Sequence, residues 1–213
     1  MASLDSAGLR SSVASPALEP VTLEGSSVRL EPMAPEHHAG LTAVGLDPEI
    51  WRQAIAPIGT PEEMRSYMET ALQLQREGTA LPFVTVERSS GRVIGSTRFG
   101  NYDRANSRIE IGWTWLAPPW QRTVMNTEAK YLMLTHAFEQ LRCVRVELKT
   151  DVLNSQSRNA ILRIGAKEEG IFRKHTLTWT GRYRDSIYYS ILDEEWPQVK
   201  TSLQALVSRR PTQ

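Results

Sequence analysis

The segment "RIEIGWTWLAPPWQRTVMNTEAKYLMLTHAFEQLRCVRVELKTD", residues 108–151, constrains the fold most, because its hydrophobic period changes twice. "RIEIGWTWL" alternates, which sets Ile109, Ile111, Trp113 and Trp115 on one strand face and Glu110, Gly112 and Thr114 on the other. From Thr127 the apolar residues recur at helical spacing, through Tyr131, Leu134, Ala137, Phe138 and Leu141. "VRVELKTD" alternates again, Val144, Val146, Leu148 and Thr150 against Arg145, Glu147, Lys149 and Asp151. Strand, helix and strand in succession need a crossover, and the simplest arrangement is a βαβ unit with two parallel strands.

Around this unit the same two periods recur. "VTLEGSSVRLEP" reads as short strand material with a glycine turn, and residues 35–46 as a short helix. Residues 61–76 place Met64, Tyr67, Met68, Ala71, Leu72 and Gln75 at helical spacing, with Thr60 as N-cap and Pro61 in the first position. "LPFVTVERSSGRVIGSTRF" is a hairpin about Ser89, Ser90 and Gly91. Asn154 caps a helix that ends at Gly165, and strands near 172–178 and 186–192 flank the "WTGRYRD" turn. A last helix, about 194–207, buries Trp196, Val199, Leu203 and Leu206.

A chain of 213 residues, 40% hydrophobic, supports one sizeable core, so residues 21–213 are expected to form a single domain behind a flexible Ser/Ala/Pro-rich tail, residues 1–20. The tail has no apolar block of the signal-peptide kind, and Asp5 and Glu19 count against a transit peptide. Twenty-five basic against twenty-four acidic side chains predict neither nucleic-acid nor anionic-membrane binding. The single cysteine, Cys143, rules out an internal disulfide framework and fits a reducing compartment, and no apolar run reaches the roughly 18 residues of a membrane span. The expected location is cytoplasmic.

Three segments, "IEIGWTWLAPPWQRTVMNTEA", "VELKTDVLNSQSRNAILRIGAKEEG" and "GRYRDSIYYSILDEEW", with the hairpin before them, cover roughly residues 21–192. In this order they resemble the GNAT superfamily of acyl-CoA-dependent N-acetyltransferases, most closely its ribosomal-protein N-terminal acetyltransferase-like branch. The middle segment is the most specific, an Asn-x-x-Ser followed by a glycine and a Glu-Glu-Gly turn. The resemblance implies an α+β fold: a mixed, mostly antiparallel central sheet with one parallel, splayed strand pair, flanked by helices on both faces. It also implies acetyl-CoA as co-substrate, no metal, and a primary amine acceptor on a protein N-terminus or small molecule, attacking directly in a ternary complex. Sister enzymes often pair through their C-terminal strands, which leaves a homodimer open.

The family's pyrophosphate loop reads Gln/Arg-x-x-Gly-x-Gly/Ala. Here it is Gln121, Arg122, Thr123, Val124, Met125 and Asn126, with Val124 and Asn126 in the glycine places and Thr127 following. What a phosphate needs is backbone N–H groups at a helix N-terminus, which glycine eases but does not supply. Asn126 tolerates a left-handed conformation and Val124 does not, so the cradle is expected to take a different backbone path, helped by the charge of Arg122. The alternative is a capped strand-to-helix connection with no ligand.

An amine with a pKa near ~10 must lose a proton before it attacks a thioester, so a base is needed. Glu110 sits in "IEIGW" on the strand that the family uses for its base; the competing reading is an exposed strand glutamate. The tyrosine most members use toward the thiolate is replaced by Ile161, while Ser157 matches the serine of the closest branch. Ser157 is therefore the candidate acid, or else a pantetheine contact or a first-turn serine. By the same resemblance Asn154 and Arg158 contact the cofactor, and the N–H groups of Trp113, Thr114 and Trp115 polarise the thioester carbonyl. Trp51, Tyr67, Trp113 and Trp115 either line an acceptor pocket or form core. His37 and His38 lack the carboxylate or cysteine company a metal needs, His136 and His175 read as surface or rim residues, and Cys143 as core. The second function class is a non-catalytic acyl-CoA-binding or interaction module with a degenerate site.

Overall fold

The computed structural model describes residues 15–208. Its elements are strands β1 (Leu23–Glu24), β2 (Val28–Pro32), β3 (Leu81–Glu87), β4 (Val93–Asp103), β5 (Arg108–Leu116), β6 (Arg145–Asp151), β7 (Lys167–Leu177) and β8 (Tyr183–Leu192). The helices are α1 (His38–Gly45), α2 (Pro48–Trp51), α3 (Pro61–Arg76), α4 (Val124–Thr135), α5 (Ser155–Arg163) and α6 (Trp196–Ser208). The described residues form one sheet in the order β1-β2-β3-β4-β5-β6-β8-β7, antiparallel throughout except for β5 against β6. The crossover expected from the changes of period is therefore present, with α4 as its helix.

Helices cover both faces. On one, α4 and α6 pack Met133, Leu134, Ala137 and Leu203 against Phe83, Phe99, Ile109, Ile111 and Ile187. On the other, α1 and α3 bring Leu41, Met64, Met68 and Ala71 onto Val84, Val86 and Trp115. Thr60 and Glu63 form the capping box that starts α3, an arrangement in which the lost Thr cap alone would cost about 1 kcal/mol. The register of α4 is fixed by Glu128, whose buried carboxylate accepts the amides of Ser26, Ser27 and Val28 at 2.7, 2.7 and 2.8 Å and the Ser26 hydroxyl at 2.6 Å. Past Thr135 the helix continues as a π turn, His136–Gln140.

Two boundaries differ from expectation. Packing begins before Val21: Leu18 is buried in the α4-side core, Tyr102 donates to the Pro16 carbonyl at 2.6 Å and Arg104 to that of Ser15 at 2.8 Å. A Ser/Pro-rich composition hid an anchored apolar residue. The rest of the expected tail, residues 1–14, and the last five positions of the expected domain lie outside the described residues. The late hairpin is longer than expected, because β7 starts at Lys167 and β8 at Tyr183.

Candidate active site

The parallel pairing of β5 with β6 is short. Arg108, Ile109 and Glu110 pair with Arg145, Val146 and Glu147, and the register then stops. β6 stays zipped to β8 along its whole length, from Arg145–Leu192 to Asp151–Ser186, so β5 is the strand that parts company. From Ile111 onward its β6-facing edge has no ladder partner among the described residues, and such an edge accepts an extended chain as a further strand would be accepted.

The strand also changes face within the splay. Ser96 pairs with Trp115 and Arg98 with Gly112, so two residues of β4 span three of β5, a bulge with Trp113 at φ +49°. The alternation read from "RIEIGWTWL" is thereby corrected. Ile109 and Ile111 face α4 as expected, but Trp115 joins the α3-side core and Thr114 turns to the α4 side. Trp113 leaves the apolar face altogether: it is 40% exposed, its ring lying against the guanidinium of Arg98 at 4.9 Å and the Lys149 ammonium at 5.9 Å. Gly100 makes room for it, since a Cβ there would lie 2.4 Å from Trp113 Cζ3. A positive φ at a bulky residue is strained backbone, and here the strain carries Trp113 beside Glu110.

Glu110 is not the exposed strand glutamate of the competing reading: it is 3% exposed. Its Oε2 accepts from Lys149 Nζ at 2.8 Å and from Asn101 Nδ2 at 2.8 Å, while Oε1 takes no hydrogen bond among the described residues. The carboxylate lines a cleft of about 520 Å³ with Asn101, Lys149, Phe172 and Tyr188, rimmed by the Arg108, Arg145, Glu147 and Glu169 network. A buried, charge-paired carboxylate with one free oxygen toward a cleft can take a proton from a bound group.

On the α4 side lies a residue that sequence reasoning missed. Lys130 is 6% exposed and has no carboxylate beside it among the described residues; Nζ donates to Thr114 Oγ1 at 2.6 Å and Thr97 Oγ1 at 3.3 Å. Burial pulls its pKa down from 10.5 to about 7. A signal was present, because Lys130 precedes Leu134 by four and Ala137 by seven positions, on the apolar stripe of the helix.

The glycine-free loop solves its turn at a different residue. Arg122 takes the left-handed conformation, φ +61°, and the helix starts at Val124, three residues before the expected Thr127. Val124 and Asn126, in the glycine places, are therefore helical and need no positive φ. Thr123 is the N-cap: its Oγ1 accepts from Met125 N at 3.3 Å and donates to the Trp120 carbonyl at 2.7 Å. The amides of Val124 and Asn126 belong to the first turn, which has no intrahelical carbonyls to offer them. Gln121 ties the loop down, donating to the Leu116 carbonyl at 2.9 Å and accepting from Gln156 at 3.4 Å. The Asn126 carboxamide oxygen is buried and has no partner among the described residues.

Across from this loop stands α5. Asn154 caps it as expected, accepting from Ser157 N at 2.9 Å, and Ser157 Oγ makes no hydrogen bond among the described residues. Arg158 turns inward to the Tyr189 hydroxyl at 3.3 Å and the Val152 carbonyl at 3.3 Å, and Arg163 donates to Thr127 Oγ1 at 3.1 Å, bringing a positive charge to the first turn of α4. Of the aromatics, Trp51 packs on Tyr67 and Trp115 with ring centroids 6.3 and 5.4 Å apart, as core, and the Arg98 guanidinium lies against both Tyr67 and the exposed Trp113. His136 is half-buried against Phe99 rather than on the rim, and burial lowers its pKa; Cys143 is buried, its thiol pushed up to about 12. Among the described residues no three His, Cys, Asp or Glu side chains gather as metal ligands would, and no helix is long and apolar enough to cross a membrane.

Comparison with known proteins gives a consistent picture. The family model described as an acetyltransferase (GNAT) domain matches residues 27–167. YdaF of Bacillus subtilis, provisionally named a ribosomal N-acetyltransferase, is 37% identical over 106 residues, 50% of this chain and 57% of its own length. The chain spans less than two thirds of the length of either curated relative it matches. Among solved structures, a GCN5-related N-acetyltransferase from Brucella melitensis superposes with a TM-score of 0.86 at 32% identity, over 94% of this chain and 91% of that one. Mycobacterium smegmatis RimJ, solved with CoA-disulfide, shares the fold at a TM-score of 0.76 and 24% identity, over 87% and 94% of the two chains.

Proposed function

The chain belongs to the GNAT acetyltransferase family, close to its ribosomal-protein N-acetyltransferase-like members, and from that premise we propose that it moves an acetyl group from acetyl-CoA to a primary amine in a ternary complex. The observation that carries the reading is the end of β5–β6 pairing after Glu110 and Glu147, with the first turn of α4 at the far end of the opened edge. An extended pantetheine arm fits along such an edge, its pyrophosphate at the amides of Val124 and Asn126, beside the capped Met125, and near the charges of Arg122 and Arg163. Gln121, Thr123 and Thr127 hold that turn, and Asn154 and Ser157 face it from α5. Arg158, held by Tyr189 and Val152, serves the site by fixing the start of α5.

In this reading the acceptor amine enters the cleft and gives its proton to Glu110 Oε1, directly or through water. The amine nitrogen then attacks the thioester carbonyl carbon, whose oxygen is met by backbone N–H groups of the bulged segment Trp113, Thr114 and Trp115. As the carbon–sulfur bond breaks, the Ser157 hydroxyl gives its proton to the departing thiolate and is reprotonated, through water, by the second proton that the acylated nitrogen loses. The name of the Bacillus subtilis relative, a ribosomal N-acetyltransferase, supports an amine on a ribosomal protein as the acceptor, and the cytoplasm is our proposed location for the reaction. Initial rates of thiol release, with acetyl-CoA and a panel of N-terminal peptides and small amines both varied, test the scheme. Intersecting reciprocal plots support the ternary complex; parallel plots would replace it with an acetyl-enzyme, and no release with any amine would favour the binding-module class.

A further inference from the structure

A lysine on the buried stripe of a helix normally finds a carboxylate, because an ammonium taken out of water costs more than packing returns. Lys130 has no ion-pair partner among the described residues, and a methionine or leucine would fill the stripe without that cost. What it does have is a pair of hydroxyls on β4 and β5. Thr97 Oγ1 and Thr114 Oγ1 lie 2.7 Å apart, and Lys130 Nζ reaches both.

The inventory of protons allows this cluster two directions, of which one leaves Thr114 with a proton to give. An ammonium has three N–H groups and no lone pair, and even the neutral amine keeps two N–H groups for two hydroxyls. Thr114 Oγ1 thus accepts from Lys130, and in the arrangement in which Thr97 gives its proton to Thr114 rather than to Met133 Sδ, 3.6 Å away, both lone pairs of Thr114 are filled. Its own proton is then left to give. Within the protein the acceptor on offer is the Gly112 carbonyl, a long contact at 3.3 Å. Thr114 is exposed and stands on the part of β5 that has lost its β6 partner.

We propose that Lys130 is a positioning residue that holds the Thr114 hydroxyl as a hydrogen-bond donor toward an amide carbonyl of the pantetheine arm. The inference rests on the acetyl-CoA reading above and deepens it: the floor of the splay recognises the amide-bearing arm, separately from the loop that meets the phosphates. Thr114 touches the arm, Lys130 acts through Thr114, and Thr97 completes the cluster.

Titration calorimetry with coenzyme A and with adenosine 3′,5′-bisphosphate, which lacks the arm, separates the possibilities. Lys130→Met is expected to weaken coenzyme A about tenfold, the worth of one well-placed hydrogen bond, and to leave the bisphosphate unchanged. Thr114→Val should do the same, Thr114→Ser should restore the affinity, and the double variant Lys130→Met/Thr114→Val should be no weaker than either single one. Unchanged coenzyme A affinity in both single variants would overturn the proposal, as would equal losses for both ligands or additive losses in the double variant. If Lys130→Met does not fold, the Thr114→Val and Thr114→Ser pair decides alone. Absence of coenzyme A binding by the unaltered protein would overturn the acetyl-CoA reading itself, a result distinct from any of these.

Discussion

Glu110 and Lys130 are ionisable side chains buried to a similar degree on opposite faces of β5, and they are treated oppositely. Glu110 has a counter-charge in Lys149 and a second donor in Asn101; Lys130 has two hydroxyls and, among the described residues, no charge to answer its own. A third buried group, Glu128, shows what a purely architectural solution looks like, with four donors from one turn closing on its two oxygens. By that standard Glu110 is stabilised yet left with one oxygen free, and Lys130 is left short of partners. Incomplete satisfaction at both faces of one splayed strand is the pattern expected of a site that exchanges protons and hydrogen bonds with something else.

The contrast can be broken most severely at Glu110. With the carboxylate as base, Glu110→Gln should lower kcat by about 10²- to 10⁴-fold at neutral pH while coenzyme A affinity stays near its original value; equal turnover across several pH values would remove Glu110 from the mechanism. Lys149→Met makes Glu110 resemble Lys130, a buried charge without an answer. It should lower kcat about tenfold at neutral pH with coenzyme A affinity near its original value; an unchanged kcat would mean that the pair is not coupled to the chemistry.

Lys130→Met sharpens the comparison through stability. The folded pKa, about 7, lies below the ordinary 10.5, so the unfolded chain binds the extra proton between those values. The penalty is full below about pH 7 and vanishes as pH rises toward 10.5. The variant should melt higher than the original protein at pH 6, with the gap closing by pH 10, and a gap independent of pH would attribute the change to packing alone. The smallest effect is expected at Asn154→Ala, where loss of the cap costs about 1 kcal/mol in denaturant unfolding; a change below the error of that measurement would show that the α5 start is held by Arg158 instead.

Much of the fold could be read from period and punctuation. The change from two to 3.6 and back across residues 108–151 required the crossover, and Thr60, Pro61, Asn154 and Gly165 marked helix ends because caps follow from local chemistry. The bulge at Trp113 was not read: its positive φ falls on a tryptophan, and strict alternation continues through it on paper, although Gly112 stands beside it. That one displaced residue reversed the faces of Thr114 and Trp115 and so hid the pairing of Thr114 with Lys130. The left-handed turn at Arg122 was likewise invisible, because the glycine places of the loop are held by Val124 and Asn126, two residues that the earlier helix start made ordinary. Glu110 was found through resemblance, yet its burial and its bond to Lys149 depend on where β4 and β6 lie, which no local pattern records.

The most direct test of the account is calorimetric titration of the purified protein with acetyl-CoA, coenzyme A and ATP. The account predicts micromolar binding of both CoA species and none of ATP, because the arm lies along the opened edge of β5 while its pyrophosphate meets the first turn of α4. Absence of binding by either CoA species would contradict it, and would leave the opened edge of β5 and the capped start of α4 as features of a protein that serves some other partner.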